Sequence, residues 1–66
     1  MTFAEKVKYV RKKLMLSQVE FSKELGVAFT TINRWETGLR EPNYSMQRKF
    51  VEFCNLNNIT FDEKKN

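Results

Sequence analysis

Sixty-six residues give room for one domain with a modest core, because a chain this short buries only about 60% of the surface it exposes unfolded. An apolar fraction of 41%, with aromatic residues at 14%, excludes an intrinsically disordered chain, and a single cysteine excludes an internal disulfide. The net charge of +4 lies wholly in residues 1–40, where eight Lys/Arg meet four Glu, while residues 41–66 balance four against four.

That uneven charge suits a polyanion partner such as nucleic acid, although a basic surface kept for solubility gives the same count. No apolar run approaches the ~18 residues of a membrane span. The start "MTFAEKVKYV" also lacks the apolar block of a signal peptide. A small cytoplasmic domain with no membrane partner is therefore expected.

In chain order, Phe3, Val7, Val10 and Leu14 recur at i, i+4, i+7 and i+11 and line one helical face. Thr2 with Glu5 forms a T-x-x-E capping box at the start of that helix. Ser17 with Glu20 repeats the device ahead of Phe21 and Leu25. Ile32 and Trp35 mark a third helix. Pro42 lies in the loop "LREPN", with Asn43 placed to cap a fourth helix carrying Met46, Phe50, Phe53 and Cys54. Thr60 to Glu63 could cap one last turn, and the polar tail covers about residues 62–66. No segment alternates at period two. The expected fold is all-α, a compact domain of four to five helices spanning residues 1–66.

The chain has two glycines, and they bracket the third helix. Gly26 follows Leu25, where a helix end turns left-handed, a conformation glycine enters without a Cβ penalty. Only Val27 and Ala28 separate it from the next helix, which makes the steep corner of a helix-turn-helix over residues 18–37. Gly38 ends the helix of residues 29–37 in the same way. At about 100° per residue, Ile32 and Trp35 point inward while Thr30, Arg34 and Thr37 point outward, with Asn33 flanking and Phe29 at the tip. Such a face carries the donors and acceptors that base edges require, and a major groove about 12 Å wide admits one helix. A solvated surface helix has a similar composition, and the residues in isolation do not separate the two.

The arrangement resembles the phage repressor and Cro type of helix-turn-helix domain, the XRE family. The similarity is carried by Gln18, Phe21, Leu25, Gly26, Val27, Ile32 and Trp35, by the ending "TINRWETG", and by Arg11 and Pro42. It spans nearly the whole chain and weakens after Asn55. Two residues depart from the pattern: Ser22 replaces a small apolar residue, and Ala28 stands where a capping serine is common.

The resemblance implies a sequence-specific, repressor-like regulator of transcription that binds a double-stranded DNA operator. The second helix of the motif would enter the major groove while the first crosses the backbone. On this chain it places Phe29, Thr30, Asn33 and Arg34 at base edges and Gln18, Thr31, Thr37 and Arg40 at the sugar-phosphate backbone. Arg34 would read a guanine, and Phe29 would press on a thymine methyl or fill the core beneath the turn. Lys12, Lys13 and Lys23 would supply general field. Arg11 and Glu36 would form a structural ion pair joining the first helix to the recognition helix.

No histidine, metal-ligand cluster or phosphate loop is present, so no enzyme activity, metal or cofactor is expected. Cys54 on an apolar face reads as core. Two other roles stay open: a protein-interaction module of the same fold (an antitoxin or adaptor) and the DNA-binding domain of a longer regulator. A homodimer on DNA is expected, with Tyr44, Leu56, Ile59 and Phe61 as candidate contacts, some of which could instead cap the core.

Overall fold

The computed structural model describes residues 1–39 and 41–61, so Arg40 and the expected tail at 62–66 lie outside the described residues. Four helices follow one another: α1 (Phe3–Lys13), α2 (Gln18–Leu25), α3 (Phe29–Thr37) and α4 (Tyr44–Leu56). There is no strand among the described residues. Thr60, expected to start a last turn, is not helical.

The helix starts follow the side chains that precede them. Thr2 Oγ1 accepts from the Glu5 amide at 3.1 Å, and Glu5 Oε1 accepts from the Thr2 amide at 2.9 Å. Ser17 and Glu20 repeat this reciprocal pair at 3.0 and 2.8 Å. Each box satisfies two backbone donors that the first turn cannot. Asn43 Oδ1 accepts from the Met46 amide at 2.9 Å and opens α4. Ala28 has no side chain to offer, and α3 begins without a side-chain cap.

The helix ends share a second device. Gly26 and Gly38 take φ of +74° and +79°. The amides that follow them fold back: Val27 to the Ser22 carbonyl at 2.9 Å, and Leu39 to the Arg34 carbonyl at 3.2 Å. Met15 and Asn58 do the same work at φ of +59° and +57°, returning Leu16 to Arg11 and Ile59 to Cys54. All four helices thus close through one left-handed residue. Asparagine is the usual substitute for glycine there, but methionine carries a Cβ penalty that nothing in its side chain offsets.

The core consists of Val7 and Val10 from α1, Phe21 and Leu25 from α2, Ile32 and Trp35 from α3, Phe50 and Cys54 from α4, and Ile59 beyond it. Phe3 packs edge-on against both Trp35 and Phe50, with ring centroids 5.4 and 5.2 Å apart, and Phe21 meets Phe53 at 5.4 Å. Burial pushes the Cys54 thiol up to about 11, which leaves it protonated and inert at neutral pH. Ser22, the polar substitution in the α2 crossing, is buried with its hydroxyl donating to the Val19 carbonyl at 2.6 Å.

The candidate dimer contacts divide. Tyr44 and Leu56 are 82% and 83% exposed. Ile59 is buried in the core, and Phe61 is half-buried against Tyr9 and Phe50. Ile59 thus belongs to the core, and Phe61 packs at its edge.

Candidate nucleic-acid interface

α3 packs against both α1 and α2. Its back is Ile32, Trp35 and Glu36, all buried; its front is Phe29, Thr30, Asn33, Arg34 and Thr37, all exposed. The 3.6-residue period produces this division, because the two sets lie on opposite arcs of one short helix. Phe29, left between base contact and core by the sequence, is 44% exposed at the tip of α3. Thr31 is half-buried and borders a cleft with Gly26, Ala28, Pro42 and Met46. The Thr37 hydroxyl donates to the Arg34 carbonyl at 3.0 Å.

A carboxylate sits behind the polar front. Glu36 is 6% exposed, and a buried anion is tolerated only where it is paired and hydrogen-bonded. Arg11 meets it from α1 with two prongs, Nε to Oε2 at 2.6 Å and Nη2 to Oε1 at 3.0 Å. Arg11 Nη1 also donates to the Leu16 carbonyl at 3.2 Å, so one guanidinium holds α1, the α1–α2 turn and α3 together. Burial tends to raise the Glu36 carboxyl. The hydrogen bonds from Arg11 and Gln18, with the charges of Arg11 and Lys8, outweigh burial and hold it below the usual carboxylate range. The bond to Glu36 raises Arg11 in turn.

Gln18, expected at a phosphate, is turned partly inward. Its Nε2 donates to Glu36 Oε1 at 3.0 Å, and its Oε1 accepts from Asn33 Nδ2 at 3.4 Å. One residue expected at the backbone, Gln18, is therefore in contact with one expected at the bases, Asn33, and with the buried ion pair. This linkage had no signal in the sequence, because Gln18 and Glu36 are 18 positions apart and on different helices. Lys8, Lys12, Lys13 and Lys23 do not enter the buried cluster; Lys12, Lys13 and Lys23 are exposed, with Lys13 over the Tyr9 ring.

A helix-turn-helix family model matches residues 7–57, taking in α2, α3 and their connecting turn whole. The chain belongs to the helix-turn-helix family. No curated protein and no solved structure matches it. The helix-turn-helix fold here is of the Cro and phage-repressor type, and its general role is DNA-binding regulation, a class that is not typically enzymatic. Among the described residues of this helix-turn-helix domain, no helix is long and apolar enough to cross a membrane.

Proposed function

We propose that the protein is a sequence-specific, repressor-like regulator that occupies a DNA operator by laying α3 in the major groove. The observation that carries this is α3 itself: a short helix anchored by a buried back and a buried ion pair, with an exposed front of one arginine, one asparagine, two threonines and a phenylalanine. A module that bound protein through this helix would tend to carry an apolar stripe there. Arg34 takes guanine O6 and N7 through its fork, Thr30 and Asn33 meet neighbouring edges, and Phe29 packs on a thymine methyl.

The start of α2 supplies the phosphate anchor. Its capping box engages the amides of Ser17 and Glu20, and the amides of Gln18 and Val19 have no partner within the helix. Free N–H groups at a helix start favour an anion. The second hydrogen of Gln18 Nε2 serves the same phosphate, with Thr31 and Thr37 along the groove wall. One module of this size covers only about 600–1,000 Å² of DNA-facing surface, so two copies bind adjacent half-sites. Tyr44 and Leu56 are two exposed apolar side chains that could join them.

Selection of bound duplexes from a random pool, followed by salt titration on the enriched site, tests the proposal. A discrete motif is expected, with affinity falling by roughly 0.9 log units per log unit of salt for each phosphate neutralised. Absence of binding at low salt overturns it.

A further inference from the structure

The side chain of Asn33 can present a base with either an acceptor or a donor, and nothing in its own structure chooses between them. The choice is made behind it. Glu36 is ionised and offers only lone pairs, so the end of the Gln18 amide that faces it must be the donor Nε2. Gln18 Oε1 then faces Asn33, and the end of the Asn33 amide that meets it must be Nδ2. Two neutral amides in series carry the sign of the buried charge outward. The far end of the Asn33 amide is consequently Oδ1, an acceptor, on the exposed front of α3.

We infer that Glu36 and Gln18 are positioning residues for base readout, fixing Asn33 as an acceptor toward the major groove. This inference rests on the proposed docking of α3. In that groove adenine N6 and cytosine N4 are donors, whereas guanine O6 and thymine O4 are acceptors. A base that donates to Asn33 Oδ1 is therefore adenine or cytosine on the contacted strand, and the second Nδ2 hydrogen beside that oxygen matches adenine N7. Arg11 belongs to the same line, because its two-pronged pairing keeps Glu36 ionised and in place. The ion pair that fastens α1 to α3 thus also sets one column of the operator.

The experiment is selection from a random duplex pool with five proteins: wild type, Asn33→Ala, Gln18→Leu, Gln18→Ala and the double variant Gln18→Leu/Asn33→Asp, each first shown to be folded by circular dichroism. Asn33→Ala identifies the column by flattening it. In the wild type that column favours adenine or cytosine, and a mismatched pair there lowers affinity roughly 5- to 150-fold. Gln18→Leu and Gln18→Ala cut the relay and remove one hydrogen bond from Glu36, but keep both bonds between Arg11 and Glu36. Their preference at that column falls by at least about fivefold, as the freed amide turns either way. Aspartate is an acceptor in any orientation, so the double variant regains the preference for an amino-bearing base even as its added charge weakens binding overall.

A wild-type protein that enriches no motif overturns the DNA reading and this one together. A wild-type motif whose Asn33 column is unchanged in both Gln18 variants overturns the relay and leaves the DNA reading standing. An Asn33 column of guanine or thymine, or an Asn33→Ala motif with no column flattened, does the same.

Discussion

Replacing Arg11 by methionine keeps most of the aliphatic stem that lies along α1 and removes the guanidinium. Glu36, 6% exposed, then loses two of the three hydrogen bonds that its carboxylate accepts here and retains the one from Gln18. Breaking a buried pair from one side costs about 3–5 kcal/mol, because the remaining charge stays desolvated and uncompensated. A chain of 66 residues has a total stability on the order of 3–10 kcal/mol, so Arg11→Met removes a third or more of it. At about 4–8 °C per kcal/mol for a domain this small, the melting temperature drops by more than about 10 °C. Urea melts of wild type, Arg11→Met, Glu36→Gln and the double variant, at pH 7 and pH 5, provide the assay. The double variant should be less destabilised than the two single losses summed, because removing the buried charge relieves the cost of removing its partner. The pH arm has a definite sign. In Arg11→Met the unpaired carboxyl has a folded pKa raised above its unfolded value, so the deficit shrinks as pH falls from 7 toward 5 and the group takes up a proton. Additive losses together with a deficit that does not change with pH would refute the coupling.

In the wild type the sign is opposite. Glu36 is held below the usual carboxylate value of about 4.3, so its contribution is present at neutral pH and is lost as pH falls through the folded value. Acid unfolding of Glu36→Gln should therefore be shallower below pH ~4 than that of wild type, and superimposable acid limbs would count against it. Ala28→Ser should stabilise the fold by about 1 kcal/mol in thermal melts, since it supplies the side-chain cap that α3 lacks. Met15→Gly should also stabilise, by about 1 kcal/mol or less, by removing a Cβ from φ +59° at the expense of unfolded-state entropy. A loss in either variant would place the limiting interaction elsewhere. Arg34→Ala should cost about 1–3 kcal/mol on the selected site and relax one base column, and an unchanged motif would remove Arg34 from the reading face. A footprint on that site, with sedimentation of the complex, should show two protein copies on half-sites about 34–36 Å apart; one protected half-site bearing one chain would exclude the dimer.

Much of this domain was legible in the sequence because its determinants are local. The Thr2–Glu5 and Ser17–Glu20 boxes, the Asn43 cap, and the left-handed glycines at 26 and 38 act within four residues of themselves, and the structure has each in place. The division of α3 into a buried and an exposed arc follows from helical period alone. Met15 was not legible as a helix terminator, because only the fold-back of Leu16 onto Arg11 demands a left-handed residue there and methionine gives no sign of it. Ile59 and Phe61 look the same in sequence as Tyr44 and Leu56. Whether each is core or surface depended on where the segment after α4 folds back. The inward turn of Gln18 was decided by tertiary structure for a related reason. A buried carboxylate draws every donor that packing brings within reach, and α2 and α3 meet where Gln18 stands beside Glu36. Hydrogen bonds between helices depend on distance in space, and spacing along a chain does not encode it.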